Sequence, residues 1–242
     1  MSDEVCALVG ATGGAGTTRL ALEFGATLAG EGRSVLVVDA AYATQGLVTA
    51  VPGRVDPDVT RAVTDDRPLA AATSDLETDV GRLAVTPARA PFERLSRAKT
   101  RECARRLAGR IGDAREFDHV LVDVPPVAAN QAVAAVTAAD RVGLAVPDSQ
   151  RGADALPRTL DRLADVDAGV DAVVANRAGD TPQVADADVT VPESATTALA
   201  DAPVCPGDDP FERAVADAVS EVVGADVDYT GTDASLGDYL PG

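Results

Sequence analysis

The chain predicts a three-layer α/β fold with a doubly wound, mostly parallel sheet, on three observations. Short valine-rich apolar runs recur along the sequence, and helical stretches separate them. That alternation is the pattern of parallel strands joined by crossover helices. Two of the runs, Ser34–Asp39 and Phe117–Asp123, end in a carboxylate. The first run passes directly into a glycine-rich turn, Gly10-Ala11-Thr12-Gly13-Gly14-Ala15-Gly16-Thr17-Thr18-Arg19, which opens an amphipathic segment. Ligands of such sheets bind beyond the carboxyl ends of the strands, and these polar residues all fall there.

The elements follow in order. Val5–Val9 reads as a buried strand and Thr17–Gly30 as a helix, ended by Gly30-Glu31-Gly32. Ser34–Asp39 completes a βαβ unit, whose crossover is right-handed by rule. Ala40–Pro52 reads as a loop turning partly helical. Residues 53–80 are rich in Asp, Pro and Thr, with short helices around Asp58–Val63 and Leu69–Ala72. Arg82–Val85 is a short strand. Pro91–Arg115 reads as one long helix, with Leu95, Ala104, Leu107 and Ile111 on its inner side. Then come a strand at Phe117–Asp123, a helix at Ala128–Ala139, a strand at Arg141–Val146 and a helix at Gly152–Leu163. Val170–Ala175 is a strand ending at Asn176-Arg177, Val189–Val191 a weaker one, and Phe211–Val223 the closing helix. The expected division is one domain over 1–224 and an acidic, glycine-containing tail over 225–242.

Composition excludes several classes. With 242 residues and 46% hydrophobic content, the chain suffices for one sizeable core. Aromatics make up only 3%, so that core is built from Val, Leu and Ala. The cysteines, Cys6, Cys103 and Cys205, are few and far apart, against a disulfide framework or a thiolate metal site. A single histidine, His119, excludes a multi-histidine metal site. The acidic start and the lack of a long apolar run lead to the expectation of a cytoplasmic protein. The formal net charge is −18, and Lys99 is the one lysine. This composition leads to the expectation of a halophilic protein, whose acidity serves solubility where salt shortens the Debye length to about 3 Å.

The glycine turn leaves backbone amides free to converge on an anion, and the following helix adds its positive dipole end. Its spacing is that of a P-loop, which places the Thr18 hydroxyl to reach magnesium. Asp123 holds the same ion, through water, from the opposite side, or caps the next helix or turn. Asp39 joins the metal shell, orients water or caps a turn, and Asn176 reads a base edge or stabilises its own turn.

In order and spacing these stretches resemble the MinD/ParA family of P-loop ATPases. Ala11-Thr12-Gly13-Gly14-Ala15-Gly16-Thr17-Thr18 falls on that family's deviant Walker A, Gly-Lys-Gly-Gly-x-Gly-Lys-Thr. Val35–Ala41 falls on the strand and Asp-x-Asp of switch I, and Phe117–Pro125 on Walker B and switch II. Arg82–Arg89 and Ala138–Val142 match strands and their flanks more loosely. Val174–Arg177 resembles the Asn-Arg element that contacts adenine, and Val191-Pro192-Glu193 the late turn near the base. The resemblance implies a P-loop NTPase fold, ATP or ADP with Mg2+ as cofactors, and a set of roles. Gly13, Gly14, Ala15, Gly16, Thr17 and Thr18 would hold phosphates. Thr18, Asp123 and Asp39 would hold the metal, with Asp39 also the catalytic candidate. Asn176, Arg177 and Pro192 would surround the base.

The departures fall at the residues most tied to hydrolysis. Thr12 replaces the lysine that crosses a dimer, Thr17 the lysine that grips the β- and γ-phosphates, and Ala41 the second switch I aspartate. The leading expectation is a nucleotide-binding positioning, partitioning or assembly switch with weakened or lost hydrolysis. The alternative is a nucleotide-independent pseudo-ATPase adaptor that pairs with an intact homologue or another partner. A third reading recruits an arginine from elsewhere, Arg19 or Arg177, as the missing cation. Expected partners are a second copy or an intact family member. The basic stretch Arg94–Arg115, with Arg94, Arg97, Arg101 and Arg105 at helical spacing, is a solvated helix face paired with neighbouring acids or a further face for an acidic protein or nucleic acid. The tail from Asp226 to Gly242 has no Lys or Arg, so the expectation is no membrane anchor.

Overall fold

The computed structural model describes residues 4–227. Eight strands form one sheet: β1 (Glu4–Gly10), β2 (Ser34–Asp39), β3 (Ser74–Leu76), β4 (Arg82–Thr86), β5 (His119–Val124), β6 (Arg141–Pro147), β7 (Ala172–Ala178) and β8 (Val189–Pro192). Their order across the sheet is β3-β4-β2-β5-β1-β6-β7-β8, and every pairing is parallel except β3 with β4. The helices are α1 (Thr17–Gly30), α2 (Val59–Thr64), α3 (Phe92–Ala98), α4 (Arg101–Gly112), α5 (Asn130–Ala138), α6 (Gln150–Ala164) and α7 (Pro210–Val223).

Strand side chains alternate between two apolar layers, as a pleated strand buried on both faces requires. Val5, Ala7 and Val9 of β1 face α2, α4, α5 and α6, in a core that includes Leu107, Ile111, Leu156 and Leu163. Cys6 and Leu8 face α1 and α7, against Leu22, Phe24, Val215 and Val219. This is the doubly wound α/β architecture. The central strand β1 lies between β5 and β6, so the turn after Gly10 opens at the middle of the sheet edge. The connection from β1 leads one way, to β2, and that from β5 leads the other way, to β6, which makes this the switch point of the topology.

Two expectations need correction. The helix expected over Pro91–Arg115 is two helices, parted at Lys99-Thr100. Thr100 takes an extended conformation, and its hydroxyl accepts from the Cys103 amide at 3.4 Å, which starts α4 afresh. The basic residues therefore do not share a single helical face. Arg94 is ion-paired with the buried Asp58 at 3.3 Å, while Arg106 and Arg110 pair with Asp66 at 3.7 and 3.1 Å. The stretch 53–80 also holds a strand, β3, whose Ser74-Asp75-Leu76 has no apolar run and pairs antiparallel at the sheet edge. The closing helix begins on a capping box, with Asp209 and Glu212 exchanging bonds and Pro210 in the first turn. Ala225 and Val227 pack against the core after it. The remainder of the expected tail, 228–242, lies outside the described residues.

Candidate functional site: a glycine loop facing two buried carboxylates

The loop leaves β1 under tight anchorage. The Ala11 amide donates to the Ala145 carbonyl of β6 at 2.9 Å, and the Ala15 amide to the Thr12 carbonyl at 3.2 Å. Gly14 and Gly16 stand at φ 78° and 90°, in the left-handed region that suits glycine. Gly16 is the N-cap of α1 and offers no side chain to satisfy the first turn. Among the described residues, nothing accepts from the amides of Gly14, Gly16, Thr17 or Thr18. A helix start with bare amides and an aligned dipole is an anion site by construction. Space is present as well, since a Cβ built on Gly13 or Gly14 would meet nothing within 4 Å.

Two acids end neighbouring strands at the same level. Asp39 on β2 and Asp123 on β5 are register partners, and both are fully buried. Thr18 Oγ1 donates to Asp123 Oδ2 at 2.6 Å, and the Ala88 amide donates to Asp39 Oδ2 at 3.1 Å. The second oxygen of each carboxylate, Oδ1, is buried without a partner. Burial pushes the Asp39 carboxyl well above the ordinary carboxylate range, and the neighbouring Asp123 pushes it further. Burial also raises Asp123, against the lowering effect of the Thr18 and Thr17 hydroxyls. Two unsatisfied carboxylate oxygens and a hydroxyl fit a hard divalent cation. No cluster of three or more acidic, Cys or His side chains suited to a metal occurs among the described residues. A cation held by so few protein ligands keeps water and phosphate oxygens as the rest of its shell, which is the habit of magnesium.

The flanking loops close around these groups. Ala41, at the position of the second switch I aspartate, is buried, and its carbonyl accepts from Thr44 and Gln45. Gln45 exchanges two amide bonds with Ala90, at 3.2 and 3.1 Å, tying the loop after β2 to the loop after β4. The 3-10 turn Gly46–Ala50 lies against Thr18, since a Cβ on Gly46 would stand 3.3 Å from its hydroxyl. Asp58, also buried, accepts from Thr60 Oγ1, Arg61 N and Arg89 N and so fixes the same corner.

The end of β7 grips the glycine loop from its other side. Asn176 is buried, and its Nδ2 donates to the Ala15 carbonyl at 2.8 Å, so this amide is committed to the loop. Its Oδ1 accepts from the Arg177 amide at 3.0 Å. Arg177 stands at φ 58°, and its guanidinium donates to the Gly14 carbonyl. Pro192, half-buried at the end of β8, pairs in register with Ala178, two strand positions beyond Asn176. Arg19 points elsewhere. It pairs with Glu23, donates to Thr196 O at 2.7 Å and Ser194 Oγ at 3.2 Å, and stacks over Phe211 at 5.6 Å.

Glu23 is the residue that sequence reasoning misses. It is fully buried, and its Oε2 accepts from the Val204 and Cys205 amides, both at 2.9 Å. Together Arg19 and Glu23 hold the segment after Pro192 against α1. The available signal is a lone carboxylate inside the apolar run Leu20–Leu28. A cavity of about 550 Å3 lined by Asp140, Asp167 and Asp171 opens at the opposite ends of the strands, away from this chemistry.

A glycine loop after the central strand of a doubly wound sheet, with a carboxylate ending the adjacent strand, defines the P-loop class. A family model described as Cellulose biosynthesis protein BcsQ matches residues 3–159, well over half of the chain, and the chain belongs to this family within the MinD/ParA group. No curated protein matches it. Among solved structures, the chain is similar to a ParA family ATPase from Chlorobium tepidum, with 16% identity over 91% of this chain and 100% of that one, at a TM-score of 0.73. The MinC:MinD cell division complex of Aquifex aeolicus gives 20% identity over 93% and 97%, at 0.71. The septum site-determining protein MinD of Pyrococcus horikoshii, complexed with Mg-ADP, gives 19% over 80% and 82%, at 0.67. These likenesses establish the P-loop NTPase fold of the MinD/ParA group.

Proposed function

We propose that the chain binds an adenine nucleotide with magnesium at the Gly13–Thr18 loop and serves as a positioning, partitioning or assembly switch that hydrolyses weakly or not at all. One observation carries the binding half: bare amides at the start of α1 stand beside two buried carboxylates, each with an unpartnered oxygen. The amides of Gly13, Gly14, Gly16, Thr17 and Thr18 receive phosphate oxygens, and Ala15, whose own amide closes on Thr12, shapes the loop between them. Thr18, Asp123 and Asp39 hold the metal, and Asp39 also orients water. Asn176, Arg177 and Pro192 bound the base side. Magnesium, when bound, neutralises charge on the phosphates. The similarity to a MinD structure holding Mg-ADP supports this assignment.

The switch half rests on what is missing. Neither position 12 nor position 17 carries a cation, and Ala41 brings no carboxylate. Loss of one charge-assisted phosphate contact costs about 1.5–3 kcal/mol, roughly ten- to a hundredfold in affinity. Binding survives such a loss more readily than phosphoryl transfer, which depends on charge stabilisation. Partners follow the same reading: a second copy or an intact family member across the loop face. Exposed Arg97, Arg101 and Arg105, which have no ion pair among the described residues, offer a lesser site for an acidic protein or nucleic acid. No described helix is long and apolar enough to cross a membrane.

A second reading, the nucleotide-independent adaptor, is favoured by the bonds of Asn176 and Arg177 to the loop carbonyls, which fasten the loop through the protein's own side chains. Binding of labelled ATP with magnesium in molar potassium chloride separates the two. Saturable binding that Thr18→Ala weakens at least tenfold supports the switch. Absence of binding at millimolar nucleotide supports the adaptor.

A further inference from the structure

The loop lacks its lysines, yet a cation touches it. Arg177 reaches from the end of β7 to the Gly14 carbonyl, and no carboxylate pairs with it among the described residues. Arg19, the other candidate, is spent on Glu23, Ser194 and Thr196 and is stacked on Phe211. The one lysine, Lys99, lies beyond α3, where its carbonyl accepts from Asn130. Of the three, Arg177 alone is in contact with the phosphate loop.

The contact is on the carbonyl side, and that decides what it does. A trans peptide is planar, with C=O and N–H on opposite edges. Drawing the Ala15 carbonyl toward Asn176 therefore turns the Gly16 amide the other way. Drawing the Gly14 carbonyl toward Arg177 fixes the neighbouring peptide, whose amide closes on Thr12. Two left-handed glycines make such a loop possible but do not by themselves hold it. A guanidinium on a backbone carbonyl holds it through a charge-assisted bond, and leaves its positive charge one peptide's width from the amides. We infer that Arg177 takes over the work of the missing lysines from behind the loop, as a positioning residue that fixes the amide nest and supplies the positive potential for a polyphosphate. The main-chain geometry agrees: Arg177 occupies the left-handed region, which a non-glycine residue adopts only against strain.

This inference rests on the proposed nucleotide site, and the test separates the two. Calorimetry would measure ATP, ADP, adenosine and inorganic tripolyphosphate, with magnesium, on the wild type and on Arg177→Ala, Arg177→Lys, Arg177→Gln and Arg19→Ala. The expected result is a loss of about ten- to a hundredfold for ATP and tripolyphosphate in Arg177→Ala, a smaller loss for ADP, and the smallest for adenosine. Arg177→Lys should regain part of the loss. Arg177→Gln, which keeps a donor without the charge, should fall between. Amide spectra should show the Gly14 and Gly16 signals moved in Arg177→Ala while sheet signals stay in place. Wild-type binding that Arg177→Ala leaves unchanged overturns the inference alone. So does an equal loss for adenosine and ATP, or a loss found in Arg19→Ala instead. Wild-type failure to bind either ATP or tripolyphosphate overturns the nucleotide site and this inference together.

Discussion

Replacing Glu23 by alanine tests whether the segment after Pro192 is fastened to the phosphate-loop helix as the structure describes. The carboxylate is fully buried and answers three donors: the Arg19 guanidinium and the amides of Val204 and Cys205. Its removal strands a partly buried guanidinium and two backbone amides at once. Breaking one partner out of a buried pair costs about 3–5 kcal/mol, and each stranded amide about 1–3 kcal/mol where water cannot enter. The released segment lies at the surface and admits some water, so the net expectation is about 3–5 kcal/mol. Glu23→Gln keeps the shape and one acceptor, and should cost about half as much. Urea titration followed by circular dichroism measures both. A double-mutant cycle with Arg19→Ala should show coupling of at least about 1 kcal/mol between the two residues. Loss below 1 kcal/mol in Glu23→Ala would refute the fastening, because it would mean the carboxylate and its donors are already satisfied by solvent.

The remaining expectations concern the acids and the loop. Asp39 and Asp123 hold their protons to higher pH when folded than the ordinary 3.8, through burial and, for Asp39, the other's charge. The native state thus binds more protons than the unfolded chain, and stability from this pair is lost as pH rises above 3.8, by about 1.4 kcal/mol per pH unit for each group until its folded pKa is passed. Asp39→Asn should remove its share of that fall, and magnesium should stabilise the wild type more as pH rises; urea midpoints from pH 4 to 8 check both, and a wild-type midpoint that does not fall relative to Asp39→Asn contradicts them. Gly16→Ala places a Cβ 2.3 Å from Asn176 Nδ2 at φ 90°, so it should cost about 2–4 kcal/mol and weaken nucleotide binding. Gly14→Ala, at φ 78° with open space, should cost only the backbone strain, about 1–2 kcal/mol; equal losses from the two would count against the Asn176 contact.

The sheet was legible because its strands are continuous apolar runs with a change of chemistry at the end. Val35–Val38 closing on Asp39, and Val120–Val122 closing on Asp123, state both the strand and where it stops. The loop was legible because two of its glycines, Gly14 and Gly16, fall at the positions that need a positive φ. What escaped depends on partners far away in the chain. Thr100 reads as a helical residue until its hydroxyl is seen capping α4. Ser74-Asp75-Leu76 has no strand character of its own and becomes one because β4 offers an unpaired edge. Asn176 was placed at the right strand end, but its side-chain direction was open, and the bond to Ala15 is a fact of packing. Glu23 looks like a flaw in an apolar helix face until Val204 and Cys205 arrive as donors.

The grip on the glycine loop also has a consequence in time. Thr18 and Asp123 are separated by 105 residues, and Ala15 and Asn176 by 161. Contacts of such range come late in folding, because the intervening chain must be ordered before they form. The loop sequence is complete once Thr18 has been made, yet the Asn176 and Arg177 bonds to its carbonyls form only when β7 has been made and has paired with β6. The full set of loop fastenings therefore comes only with a nearly finished sheet, and the loop reports completion of the fold.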